Sequence, residues 1–357
     1  LDILDQLDKI KQIDTQDMLG VEERFYNQLV ESKKIAENLD VKSLSLDDKT
    51  GIAILGMGGS GFTGDIIKNL TLDYANIPII VIKDYHLPKC VNKNWLIFAV
   101  SYSGNTEETL SCINEAIKLG CEVVCVCSGG KLFDIAKQNN FIVVEIPKGL
   151  QPRGALGYLF FSTFLVMAKI GIVKVDSSEI DEALNLINEK TKVYNRNVLT
   201  EKNPAKKLAL DIFGRLPIIY GVSGYLSAIA YRWKSQINEN AKSPCFYAEF
   251  PELDHNEIVG WQNLSDVSQK FILIIFKDEL FSEKIKTRIA ATVNLIQDSF
   301  DAVTEIKVEG NSLLAKALST IYLGGIASVY LALLYKTDPT PVERISALKA
   351  ELEKLNK

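Results

Sequence analysis

Apolar positions along this chain fall into two rhythms. Short continuous apolar runs read as buried strands: GIAILG (51–56), IPIIVI (77–82), LIFAVS (96–101), EVVCVCS (122–128) and FIVVEIP (141–147). Between them, GDIIKNL, TEETLSCINEAIKLG (106–120) and LFDIAKQ keep the 3–4 spacing of helices, and a longer helix from about Gly154 to Ile170 closes this half. After a polar helical stretch the alternation starts again. LPIIYG (216–221) is a strand, followed by a turn with Ser223 and Gly224 and a helix running to about Asn240. Strand FILIIF (271–276), helix SEKIKTRIAATVNLIQD and strand DAVTEIKV (301–308) continue it. Strands alternating with helices predict parallel sheets covered on both faces.

The pattern divides the chain into an N-terminal helical segment (1–45), a first α/β unit (46–172), a helical connector (173–206), a second α/β unit (207–335) and a charged helical tail (336–357). At 357 residues, and roughly 150 residues per domain, two units are also what length alone predicts. The stretch Ala317–Tyr335 holds 19 uncharged residues, near membrane-spanning length. It contains Ser319, Thr320, Ser328 and three tyrosines, so it reads as the buried helix of a large core, with no membrane partner expected.

Composition narrows the class. Hydrophobic residues make up 47% and charged residues 24%, which excludes a disordered or collagen-like chain. Net charge is −5 and no Lys/Arg cluster stands out, so nucleic acid is not an expected partner. The six cysteines lack the paired spacing of a zinc site. Cys125 and Cys127 share one face of a strand, and the cysteines read as small buried apolar residues; a redox role is the competing reading. The start carries no signal-peptide core, and with reduced cysteines the expected location is cytoplasmic.

Two loops carry the chemistry. LGMGGSGFTGD leaves a strand and enters a helix; its glycines let backbone approach a ligand, and the helix start offers free N–H groups to an anion. A Walker A loop would need a Gly-Lys pair, and the first lysine after these glycines is Lys68. A dinucleotide loop would want an acid at the end of the second strand, and Asp84 comes 28 residues after Gly56, later than usual. A sugar-phosphate loop and a plain tight turn stay open. SYSGNTEET (101–109) is more telling. Ser101, Ser103 and Thr106 place three hydroxyls at a helix start, enough with backbone N–H groups to hold a phosphate without lysine. Simple capping by Asn105 or Thr106 accounts for one polar residue there, not three.

At these residues the chain resembles the sugar isomerase (SIS) fold. QPRGALG (151–157), WKSQINENAKSPCFYAEFPELDHNEIVGW (233–261) and DPTPVERISALK (338–349) narrow the resemblance to the bifunctional phosphoglucose/phosphomannose isomerase family. The implied fold is α/β: two SIS-type doubly wound parallel-sheet subdomains, each an αβα sandwich, with flanking N- and C-terminal helices. The implied activity interconverts glucose 6-phosphate, and mannose 6-phosphate, with fructose 6-phosphate through ring opening and a cis-enediol, with no metal and no cofactor.

The resemblance assigns Glu239 as the base moving a proton between C1 and C2. The residue type suits the task, because a carboxylate in a largely buried pocket is a stronger base than one in water. His255 would be the ring-opening acid/base, set in an acidic loop (Glu252, Asp254, Glu257) that favours its protonated form; His86 reads as structural. In the family the equivalent histidine comes from the neighbouring subunit, which implies a homodimer. Arg153 matches an arginine beside the reacting carbons. Gly58, Gly59, Ser60, Ser101, Ser103 and Thr106 match substrate loops, and Thr340 and Lys349 match a C-terminal pair. Each of these has a plain structural reading beside it: a surface acid, a core ion pair, a cap, one charge on a terminal helix. Two other functions remain open at this point, a non-catalytic sugar-phosphate sensor and another amino-sugar-phosphate isomerase of the same fold. An amidotransferase would carry a glutaminase domain, and a nicotinamide enzyme is the remotest reading.

Overall fold

The structure is a computed structural model that describes residues 3–355. Leu1, Asp2, Asn356 and Lys357, counted above in the N-terminal segment and the tail, lie outside the described residues.

The N-terminal segment is broken rather than continuous. Helix α1 (Leu7–Ile13) stops at Asp14, whose carboxylate accepts from the Met18 and Leu19 amides. Asp17 then caps the short α2 (Met18–Glu23) by accepting from the Gly20 amide, and α3 (Phe25–Asn38) follows. An Asp placed to bond nearby amides competes with helix continuation, which periodicity alone does not register.

The first sheet holds β1 (Gly51–Leu55), β2 (Ile79–Ile82), β3 (Trp95–Val100), β4 (Glu122–Cys127) and β5 (Ile142–Glu145), all parallel in the order β2-β1-β3-β4-β5. Helices α4 (Gly58–Leu70), α5 (Glu107–Leu119) and α6 (Gly130–Gln138) make the crossovers. Every residue of β1 and β3 is buried, which is why these strands read as unbroken apolar runs. The strand order reverses between β1 and β3, and ligands of open parallel sheets bind at such a switch point, beyond the strands' carboxyl ends.

After β5 the chain makes a 3₁₀ turn (Pro152–Ala155), a π-helical turn (Gly157–Phe161) and α7 (Ser162–Lys169). Then come α8 (Ser177–Tyr194), with an Asp176/Glu179 capping box, and α9 (Pro204–Ile212). The second sheet contains β6 (Leu216–Val222), β7 (Phe246–Phe250), β8 (Phe271–Lys277) and β9 (Ala302–Lys307), parallel in the order β7-β6-β8-β9. Its helices are α10 (Tyr225–Gln236), α11 (Glu257–Gly260), α12 (Ser265–Ser268) and α13 (Glu283–Ile296). Strand β7 escapes the sequence reading: it is an edge strand whose Phe246 and Tyr247 face outward, so FYAEF never forms a buried run.

Helix α14 (Leu313–Leu334) is the apolar stretch of membrane-spanning length, and 94% of its most apolar window is buried inside the protein. It packs against α8, α9, α10 and α2, which binds the N-terminal segment, the connector and the second unit into one core. Lys316, the charge at its start, is buried against Asp278 at 2.7 Å. Helix α15 (Glu343–Leu355) ends the described chain on the surface. Five cysteines are buried, and burial pushes the Cys112 thiol up to about 12; Cys90 alone is exposed.

Candidate active site

The glycine-rich turn opens where β1 ends. Gly58 has φ +52°, a left-handed conformation that suits glycine, and a Cβ on Gly61 would lie 2.6 Å from the Gly56 carbonyl oxygen. The start of α4 is therefore bare backbone, and no side chain caps it. Ser60 is buried, and its hydroxyl accepts from the Tyr102 amide at 3.3 Å, tying this loop to the one after β3.

In the second loop Ser101 Oγ and Thr106 Oγ1 are 2.9 Å apart. Thr106 occupies the cap position of α5, yet its hydroxyl caps nothing. The capping reading fails for that residue, and the first-turn amides of α5 keep no side-chain acceptor from it. Ser103 is exposed and accepts from the Asn105 amide at 3.2 Å. Both loops thus present uncapped helix starts beside hydroxyls, an arrangement suited to a phosphate.

A third segment meets them from the side. A Cβ on Gly59 would lie 3.1 Å from the Pro152 carbonyl oxygen and 3.5 Å from Arg232 Nη1. Pro152 begins the 3₁₀ turn that carries Arg153, which is 3% exposed. Arg153 donates from Nε to Asn240 Oδ1 at 2.6 Å and from Nη2 to the Pro339 and Thr340 carbonyl oxygens at 2.6 and 2.8 Å. Its Nη1 stands 3.8 Å from Glu239 Oε2. Arg232, buried on α10, donates to the Arg153 carbonyl oxygen at 2.5 Å. Two guanidiniums are therefore buried side by side, and burial lowers the proton affinity of each while Glu239 and Glu22 raise it.

Glu239 sits in a π-helical turn (Ile237–Ala241) that widens the end of α10. Such turns re-aim one residue out of the helical ladder and recur at functional sites. The turn lets Asn240 point inward, to Arg153 and to Ser328 at 2.8 Å, while Glu239 points outward into a cavity of about 670 Å3. The Glu239 side chain keeps 28% exposure, so the expectation of a largely buried pocket is not met within one chain; the turn lies at the mouth, not the floor. Lys242, in a left-handed conformation, donates to the carbonyl oxygens of Asn240, Asp338 and Pro339 and lines the same cavity. Burial, then the Arg153 charge, brings it down to about 8.

Thr340 lies in the group: it is buried, its carbonyl holds Arg153, and its hydroxyl has no partner among the described residues. Lys349 does not. The α15 residues lining the cavity are Glu343, Arg344 and Ile345, and Lys349 is exposed further along the helix. His255 is exposed at the end of the short 3₁₀ turn Glu252–His255, in the loop after β7. Its acidic neighbours are engaged elsewhere: Asp254 with Arg288 and Thr292, Glu257 with Tyr220, Glu252 with Asn256. Of the three, only Asp254 is paired with a cation, Arg288.

Sequence reading missed Arg232, Lys242, Asn240 and Glu22. Arg232, Gln236 and Glu239/Asn240 follow one another at helical spacing, and an arginine inside the apolar run AIAYRW was the available signal. Glu22 had none: MLGVEERFY looks like any amphipathic helix. Among the described residues no three His, Cys, Asp or Glu side chains converge to hold a cation.

Residues 201–352 match the model of the bacterial phospho-glucose isomerase C-terminal SIS domain. The chain is 40% identical over 336 residues to a bifunctional phosphoglucose/phosphomannose isomerase of Caldicellulosiruptor bescii, covering 93% of this chain and 99% of the relative. It is 38% identical to the protein of the same name from Aquifex aeolicus, covering 95% and 99%. Among solved structures, tagatose-6-phosphate ketose/aldose isomerase from Escherichia coli superposes with a TM-score of 0.70 at 16% identity, covering 91% of this chain and 95% of that one, a likeness of fold.

Proposed function

The chain belongs to the bifunctional phosphoglucose/phosphomannose isomerase family, and from that premise we propose that it interconverts glucose 6-phosphate and mannose 6-phosphate with fructose 6-phosphate. The observation that carries the reading is the unbroken run of contacts from the hydroxyl loops through Gly59 and Arg232 to Arg153 and Glu239. The substrate phosphate sits against Gly58, Gly59, Ser60, Ser101, Ser103 and Thr106, held by backbone N–H groups and hydroxyls. The protein's own net charge of −5 does not attract it, so this local cradle does.

His255 moves a proton between O1 and the ring oxygen and opens the sugar. Glu239 then takes the proton from C2; the C–H electron pair becomes the C1–C2 double bond and the carbonyl oxygen becomes enediolate oxygen. Arg153 stabilises that charge, a proton passes from O2 to O1, and Glu239 returns its proton to C1 as the C2–O2 bond becomes the carbonyl, leaving the ketose. Thr340 lies beside Arg153, near where C3 would rest. Glucose and mannose 6-phosphates differ only at C2, and the enediol has lost that centre, so one site serves both. His255 is exposed on its own chain, which supports its delivery to a partner's site in a homodimer. The first unit (46–172) supplies the phosphate loops and Arg153, and the second (207–335) supplies base and acid. No step needs a metal or cofactor. The free cysteines fit a cytoplasmic enzyme of glycolysis and gluconeogenesis.

The test is fructose 6-phosphate formation from each hexose phosphate with and without EDTA, with glucosamine 6-phosphate as the competing substrate. Turnover of both hexose phosphates, indifferent to EDTA, is expected. Turnover of the amino sugar alone would replace the reading, and loss in EDTA would end the metal-free mechanism.

A further inference from the structure

Arg232 is buried at the site, yet the reaction scheme gives it no task. It is 2% exposed, its Nε has no hydrogen-bond partner, and no carboxylate among the described residues forms an ion pair with it. A guanidinium buried without an ion pair is costly, so its place is explained by what it touches. Its Nη2 donates to the Arg153 carbonyl oxygen at 2.5 Å. Its Nη1 stands 3.5 Å from where a Cβ on Gly59 would lie, and its Cζ stands 5.6 Å from the centre of the Phe62 ring, a cation–π distance. Gly59 and Phe62 both belong to α4, whose start forms one wall of the proposed phosphate cradle. Arg232 itself precedes Glu239 on the helix that the π-helical turn continues. Neighbouring Trp233 anchors that helix, donating from its indole N–H to the Thr320 carbonyl oxygen of α14 at 2.9 Å. One planar side chain therefore touches both the cradle and the turn that carries Arg153, and it does so from the helix that carries Glu239.

The Arg153 turn has other supports, and they come from α3. Gln28 Nε2 donates to the Gly154 carbonyl oxygen at 2.8 Å, and Ser32 Oγ donates to the Gly157 carbonyl oxygen at 3.0 Å. These bonds hold the turn to the N-terminal segment, but neither side chain is among the atoms nearest Gly59, which belong to Pro152 and Arg232. We infer that Arg232 is a positioning residue that fixes the span between the phosphate cradle and the reacting carbons, and so selects the length of the sugar chain. The rigid fork suits this task, because its two terminal nitrogens face two different elements at a set separation. A hexose 6-phosphate seated by its phosphate then brings C1 and C2 between Arg153 and Glu239. A pentose 5-phosphate is one carbon short and reaches both ends only if the span shrinks. Misplacing a reacting group by about 1 Å costs on the order of 10²-fold in rate, so a fixed span discriminates and a loosened one does not.

This inference rests on the isomerase reading, and wild-type turnover of the hexose 6-phosphates in the same assay tests that reading separately. The readout is the ratio of kcat/KM for glucose 6-phosphate to that for ribose 5-phosphate, which general damage to the fold leaves unchanged. Arg232→Met removes the fork and is expected to lower the ratio about tenfold, beyond any loss of rate on both substrates. Arg232→Lys keeps the charge but offers one nitrogen in place of the fork; it is expected to lower the ratio about threefold, and it carries the test if the Met variant does not fold. Gln28→Met loosens the same turn without touching the cradle, and is expected to lower both rates together with the ratio unchanged. If ribose 5-phosphate gains nothing relative to glucose 6-phosphate in the Arg232 variants, the inference is overturned and Arg232 is a structural residue. A wild-type ratio in Arg232→Lys alone would make charge the cause rather than span, and an equal fall in Gln28→Met would make it any loosening of the turn; either result overturns the inference as well.

Discussion

The Arg153 guanidinium stands 3.8 Å from the Glu239 carboxylate, near enough for attraction and too far for a hydrogen bond. A base must stay free to take a proton, and the cation that stabilises the resulting enediolate must be close. Glu239→Gln is therefore expected to lower kcat by about 10³-fold with little change in KM. Arg153→Lys cannot reach Asn240, Pro339 and Thr340 at once; it is expected to lower kcat by about 10²-fold and also Tm. Steady-state kinetics and a thermal melt of each variant check both. Near-normal turnover in Glu239→Gln would remove the base from the scheme.

The proposed phosphate cradle predicts a different kinetic signature. Ser101→Ala and Thr106→Ala each remove one of two hydroxyls 2.9 Å apart, and each is expected to raise KM about tenfold with kcat nearly unchanged. Gly61→Ala should do more, because its Cβ meets backbone at 2.6 Å and the α4 start must shift. A stability loss of about 2 kcal/mol accompanies the raised KM. A kcat effect without a KM effect in the hydroxyl variants would place the phosphate elsewhere.

His255 predicts complementation between subunits. If its imidazole works in the partner's site, a heterodimer of Glu239→Gln and His255→Ala chains holds one intact site and one doubly damaged site. Co-expressing the two inactive variants should then restore roughly a quarter of wild-type activity, since half of randomly formed dimers are mixed. No restoration, with mixed dimers demonstrated by affinity tags, would assign His255 to its own chain or to no site at all.

The parts of this fold legible in advance were those governed by local chemistry. The buried strands of the first sheet announce themselves because both faces are covered, and the two candidate loops do so because glycines and hydroxyls follow a strand directly. Strand β7 stayed hidden because an edge strand needs no continuous apolar run. The π-helical turn at Glu239 stayed hidden because one extra residue in a helical turn leaves the composition unchanged, yet it decides that Asn240 goes inward and Glu239 outward. Lys349 was placed by motif register, and the course of α15 along the surface takes it away from the cavity. Glu22 lies more than a hundred residues before Arg153, and only tertiary packing, with Val21 of α2 against Gly154, brings their elements together.

Glu22 also leaves a mark on stability whose sign follows from its burial. Desolvation raises it from 4.5 to about 7 in the folded protein, against the opposing pull of Arg232 and Arg153. Between those two values the folded chain binds more protons than the unfolded chain, so stability falls as pH rises through that window. Gln cannot ionise and carries no such term. Relative to wild type, Glu22→Gln should therefore gain stability steadily from pH 4.5 to 7, by up to about 3 kcal/mol, and hold that gain at pH 8. Tm differences measured at pH 5, 6, 7 and 8 without substrate decide it, and a difference that does not vary with pH would contradict the burial of an ionisable carboxylate here.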